Sequence, residues 1–248
     1  QACNMAHGTA TKACIKAYIH TYKNVCIVTN TPHQVRYFMA RRTKADAQTT
    51  RNNLLDAAEQ LFQSRGVSHT SLNDIATAAG TTRGAIYWHF KDKADLFNAM
   101  MERVTLPLEQ TLVVAYVEQS AHPVAEIRSA MQEALRLIAT DEQTCRVLKI
   151  ATHQVEYTTD MGAVLERHLS VHDGCVERNL VALQRAFAAR NQPPPMALDF
   201  AARGLQVLVE GLVHQWLLNT EAFDLQANGL AALDVYLRGL GLHDTVPA

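Results

Sequence analysis

Residues 71–90, Ser-Leu-Asn-Asp-Ile-Ala-Thr-Ala-Ala-Gly-Thr-Thr-Arg-Gly-Ala-Ile-Tyr-Trp-His-Phe, read as two short helices joined by a tight turn. Ala76, Gly80 and Ile86 occupy the three positions where a helix-turn-helix is sterically demanding. The first must be small because the two helices cross closely there. The second must turn left-handed, which glycine does without a Cβ penalty. The third must be apolar to seal the second helix onto the first.

Working outward, Leu54, Leu55, Ala58, Leu61 and Phe62 mark one face of a helix that starts near Thr49 and stops at Arg65-Gly66. Thr70 or Ser71 caps the helix after it, with Asp74 completing a capping box to Ser71. Thr82 caps the helix through Tyr87. Lys91 and Lys93 open a longer helix with Leu96, Phe97, Met100, Met101 and Val104 facing inward. Past Pro107 the period stays helical, and the breaks predict helices over 107–120, 123–139, 143–156, 161–190, 196–220 and 226–240. The fold class is all-α: a three-helix head over 39–97, a helical bundle over 98–240 and a tail over 241–248.

Net charge is −1, but it is unevenly spread. Residues 1–103 carry 13 Lys+Arg against 7 Asp+Glu, and residues 104–248 carry 10 against 17. A basic front and an acidic rear suit a DNA-binding head on a bundle that avoids phosphate. No stretch approaches the ~20 apolar residues of a membrane helix. Five cysteines without a Cys-x-x-Cys pair support neither a disulfide framework nor zinc, so reduced thiols in the cytoplasm are expected. Residues 1–38 contain Lys12, Lys16, Lys23 and Arg36 but no acid, and show no sustained period. They read as an unstructured or non-native extension, not as a signal peptide. The natural-looking start is Met39.

A helix in the major groove needs donors and small contacts at its edge, flanked by phosphate ligands. Thr81, Thr82 and Arg83 lie at its N-terminal end, where free backbone N–H groups also favour phosphate. Gly84 and Ala85 let the backbone approach the bases, and Tyr87, Trp88 and His89 supply hydrogen bonds and apolar area. Thr70, Ser71 and Lys93 complete the expected contacts, while Arg41, Arg42 and Lys44 form an arm toward phosphate or the minor groove.

The run Thr-Arg-Gly-Ala-Ile-Tyr-Trp-His-Phe-Lys-Asp-Lys-Ala-Asp-Leu-Phe (82–97) and the helix Leu54–Phe62 resemble the hallmark of TetR-family transcriptional repressors. The likeness extends to the AcrR-like branch, which represses multidrug efflux pumps. It is carried by His153-Gln-Val-Glu156-Tyr157, Met161, Arg203-Gly204, Gly211-Leu-Val-His-Gln-Trp216-Leu217 and Phe223-Asp224-Leu225. It covers about residues 39–240. The resemblance implies an all-helical homodimer on a palindromic double-stranded operator, released by a small hydrophobic or amphipathic effector. Control of a metabolic or catabolic operon is the alternative. No cofactor or metal is implied.

In the rear half, Leu165, Leu169, His172, Val176, Leu180, Leu183 and Phe187 form one stripe, and Phe200, Gly204, Leu208, Gly211 and Gln215 form another lined with small residues. Leu169, His172, Val176, Leu180, Leu183, Phe187, Gly204, Leu208, Gly211 and Gln215 are the expected dimer interface. Met131, Leu135, Ile138, Ile150, His153, Gln154, Glu156, Tyr157 and Trp216 are the candidates for an effector pocket. His153 and Glu156 could equally be a hydrogen-bonded pair. The rival class is an enzyme or metal protein using His168 and His172, with Asp173 beside them. The chain has no Glu-x-x-His motif, HExxH, nucleophile elbow, P-loop or glycine-rich dinucleotide turn to support it.

Overall fold

A computed structural model describes residues 25–29, 35–39, 43–117 and 122–242, with side chains over 43–107 and 122–242. The chain divides into two compact units, residues 1–50 and 51–248. In the first, β1 (Val25–Thr29) pairs antiparallel with β2 (Val35–Met39), Val25 opposite Met39 and Thr29 opposite Val35. This differs from the expected lack of structure. Both runs are rich in β-branched and aromatic residues, which favour extended pairing over so short a length that no period is visible. Arg41 and Arg42, and the tail beyond Leu242, lie outside the described residues.

From Thr43 to Leu242 every described element is helical. Helix α1 (Lys44–Arg65) begins before the expected Thr49. Thr43 and Asp46 cap it reciprocally, Thr43 N–H donating to Asp46 Oδ2 (3.0 Å) and Asp46 N–H to Thr43 Oγ1 (3.1 Å). There follow α2 (Leu72–Ala78), α3 (Arg83–His89), α4 (Lys93–Val117), α5 (Pro123–Thr140) and α6 (Glu142–His153). A 3-10 turn at Thr159–Met161 leads into α7 (Gly162–Arg190), then α8 (Leu198–Leu218) and α9 (Leu225–Gly239). Asn191 ends α7 in the left-handed conformation (φ 52°), ahead of the three prolines that forbid continuation.

One core packs head and bundle together. Leu54, Leu55, Phe62, Ile75, Ile86, Phe90, Leu96, Phe97 and Met100 are buried with Val147 and Ile150 of α6 and Val164 of α7 in one cluster. The expected boundary at 97/98 therefore falls inside α4, within continuous packing. A second cluster joins α5, α7, α8 and α9 through Ile127, Leu183, Phe187, Leu205, Leu233 and Leu237. A third holds Leu135, Ile138, Trp216, Leu217 and Leu225.

Candidate nucleic-acid interface and internal cavity

The turn between α2 and α3 is fixed at both ends. Ser71 caps α2: its Oγ accepts from Asp74 N–H (3.2 Å), and its own N–H donates to Asp74 Oδ2 (2.9 Å). Hydrogen bonds from Ser71 hold the Asp74 carboxyl below the usual carboxylate range. Gly80 sits at φ +65°, with the neighbouring Thr81 N–H donating to Ala76 carbonyl (2.9 Å), so the turn needs the residue that has no Cβ. Thr82 caps α3 by accepting from Ala85 N–H (3.2 Å).

Helix α3 then divides by face. Ile86 is fully buried, and Phe90 just past its end is buried under the Arg51 guanidinium, 5.1 Å from the ring centre. Tyr87 is 49% and Trp88 73% exposed, which no core role explains for two large aromatics. The Arg83 guanidinium lies 5.8 Å over the Tyr87 ring, and Trp88 meets His89 edge to face at 4.7 Å. Exposed Thr82, Arg83 and Gly84 complete a cationic and aromatic surface, flanked by half-buried Thr81, Ala85 and His89.

Two of the expected contacts make hydrogen bonds within the chain. Thr70 is 1% exposed and donates its hydroxyl to Gly66 carbonyl (2.8 Å), closing the loop after α1. Lys93 is half-buried and gives one N–H to Val67 carbonyl (3.0 Å), tying the start of α4 to that loop. Lys44 is exposed at the start of α1.

Behind the head, α6 makes a connection that the sequence did not suggest. Gln154 carbonyl accepts from Val67 N–H (3.3 Å), and Gln154 Nε2 donates to Gln63 carbonyl (3.2 Å). Buried Glu59 of α1 receives Gln143 Nε2 at 2.7 Å and faces Arg103 of α4 (3.6 Å) and Arg146 of α6 (3.5 Å). A carboxylate at an apolar-flanked helix position, with arginines far along the chain, is the only trace such a junction leaves in sequence.

Between α4, α5, α6, α7 and α8 lies a cavity of about 680 Å³. Its apolar walls include Met101, Met131, Ile138, Leu148 and Val213, and its polar ones include Tyr157, His168, Arg178, Asn179, Glu210 and His214. Of the expected pocket residues, Met131, Ile138 and Tyr157 line it. The others do not. Leu135, Ile150 and Trp216 are core, and Gln154 serves the head. His153 turns to His214, ring centres 4.7 Å apart, and Glu156 is exposed. His153 and Glu156 form no hydrogen bond with each other in the described structure.

The expected dimer residues also divide. Leu169 of α7 is exposed, as are Gly211 and Gln215 of α8. Leu183 and Phe187 are buried within the chain, and Val176 and Leu180 pack against their cluster. Leu208 is half-buried. Gly204 serves α9: a Cβ there would come within 2.5 Å of the Tyr236 hydroxyl, which donates to Ala201 carbonyl (2.7 Å). Phe200, already in the second stripe, and Val207, which the expected set omitted, are 64% and 59% exposed on one face of α8 with Gly211 and Leu218. His172 of α7 meets Glu210 of α8 at 2.9 Å, while His168 lines the cavity near Tyr157. Among the described residues no group of three or more His, Cys, Asp or Glu could hold a metal ion. Nor is any described helix long and apolar enough to cross a membrane.

Residues 54–100 match the model of bacterial regulatory proteins of the tetR family, and residues 122–242 match the C-terminal region of MAATS-type transcriptional repressors. The transcriptional regulator TtgR of Pseudomonas putida is 34% identical over 187 residues, 75% of this chain and 89% of that one. The crystal structure of NalD, secondary repressor of the MexAB-OprM multidrug efflux pump in Pseudomonas aeruginosa, superposes with a TM-score of 0.72. It is 37% identical and covers 79% of this chain and 98% of its own. The triclosan complex of SmeT, the repressor of a Stenotrophomonas maltophilia multidrug efflux pump, gives 0.69 at 32% identity, covering 81% and 98%.

Proposed function

The chain belongs to the TetR family of bacterial transcriptional regulators, and on that premise we propose that it represses a multidrug efflux operon as a ligand-released dimer. Two copies read a palindromic operator with their α3 helices one DNA turn, about 34–36 Å, apart. The observation that carries the reading is the pairing of an exposed Arg83-Tyr87-Trp88 surface on a firmly capped helix with a large, mainly apolar cavity in the same packed body. Efflux control is supported by the likeness to NalD and SmeT.

Release requires the effector to bind one arrangement of the helices better than the other, and operator affinity falls by that difference. Helix α4, which carries Pro107 and contributes to both the head core and the cavity wall, is one route. Helix α6 is the other: Leu148, Ala151 and Thr152 line the cavity, and its ends hold Glu59 and Gln63 of α1. The exposed apolar face of α8, with Leu169 of α7, is the dimer surface in this reading.

Testing begins with a duplex selected from a randomised DNA pool by the purified protein. A palindrome is expected. Arg83→Ala and Tyr87→Ala should each weaken its binding by about 10- to 100-fold with helicity and mass unchanged. Full affinity in both variants, or no enriched duplex, would reject the assignment.

A further inference from the structure

We infer that the effector of this cavity carries an anionic group, bound by Arg178; the inference rests on the cavity being the effector site. Arg178 of α7 is half-buried in the cavity wall. A guanidinium has five N–H donors and keeps its charge at every physiological pH. Among the described residues, the only hydrogen bond it makes is from Nη2 to Cys175 Sγ at 3.1 Å, a weak acceptor. Three other arginines that join helices of this bundle have a carboxylate within reach. Arg128 has Asp234 at 3.0 Å, Arg185 has Glu126 at 2.9 Å and Arg167 has Glu102 at 2.9 Å.

The carboxylate that does line the cavity is already engaged. Glu210 Oε1 receives Gln206 Nε2 (2.9 Å) and lies 2.9 Å from His172 Nδ1, while Asn179 Nδ2 donates to Gln206 Oε1 (3.2 Å). This chain of side chains spans α7 and α8 and leaves Arg178 out. A partly desolvated cation without a carboxylate is unfavourable until an acceptor arrives, and an anion satisfies charge and hydrogen bonds together. The surrounding Met131, Ile138, Val171 and Val209 ask for an apolar body. The ligand class is therefore a hydrophobic carboxylate, sulfonate or phenolate.

Two dyes that share one scaffold separate charge from size: 1-anilinonaphthalene-8-sulfonate and the neutral N-phenyl-1-naphthylamine, titrated by fluorescence. The native protein should bind the sulfonate about tenfold more tightly. Arg178→Met should erase that preference while leaving the neutral dye's affinity unchanged, and Arg178→Lys should keep part of it. Thr152→Trp, which fills the cavity from its wall, should exclude both dyes. Equal affinities in the native protein, or a preference that survives Arg178→Met, would overturn the anionic class while leaving the cavity standing as the site. Undiminished binding of both dyes to Thr152→Trp, or no binding to the native protein, would overturn the cavity reading and the inference with it.

Discussion

His153 and His214 meet edge to face at 4.7 Å, and His153 Nε2 is buried without a hydrogen-bond partner. Burial, then His214 and Lys149, push the His153 imidazole below its ordinary value. The folded chain thus holds this proton more weakly than the unfolded chain. The stability tied to a neutral His153 is complete above the ordinary histidine range, about pH 6.5, and is lost as pH falls toward the lowered folded value. Melting temperature should therefore drop between pH 7 and pH 5, and His153→Gln should flatten that drop. An unchanged slope in the variant would count against the assignment. At this scale sequence was a partial guide. Ser71, Asp74, Gly80 and Thr82 were readable because capping and left-handed turns restrict residue type locally. Thr70 was misjudged because a short polar side chain beside a cap looks the same in sequence whether it faces inward or outward.

Helices α5 to α9 lie within a few residues of their expected spans, because prolines, Asn191 and Asp224 punctuate a strong 3.6-residue period. Which helix touches which was not legible. Periodicity marks a buried face but not its neighbour, so nothing in the sequence showed that α6 ties the bundle to the head through Glu59 and Gln154. The same ambiguity scattered the pocket candidates: Leu135, Ile150 and Trp216 sit on apolar faces that meet other helices instead of empty space. Glu59 makes the linkage testable. Glu59→Ala removes the acceptor of Gln143 and the carboxylate facing Arg146, while Arg103 keeps Asp56 at 2.7 Å, and should cost about 1–3 kcal/mol in urea unfolding. In the folded variant, effector should also shift operator affinity less than in the native protein. A fully stable variant with undiminished response would remove Glu59 from the coupling.

At the scale of the molecule, the proposed dimer places Leu169, Phe200, Val207 and Leu218 against a second copy. Leu169→Asp with Phe200→Asp should halve the mass in sedimentation equilibrium and abolish operator binding while helicity persists. A double variant that stays dimeric would move the interface to another face. The stripe on α7 was legible as apolar, but its lower half, Leu183 and Phe187, fills the chain's own core, and only packing could divide the two uses. The chain's two tryptophans stand at opposite extremes of solvation: Trp88 projects from α3 into water, and Trp216 is enclosed among Leu135, Ile138 and Leu225. Its ultraviolet emission is consequently a sum of a red-shifted lamp on the reading helix and a blue-shifted lamp inside the bundle. The unlabelled protein thus carries two colours of built-in reporter, one for each half of the mechanism.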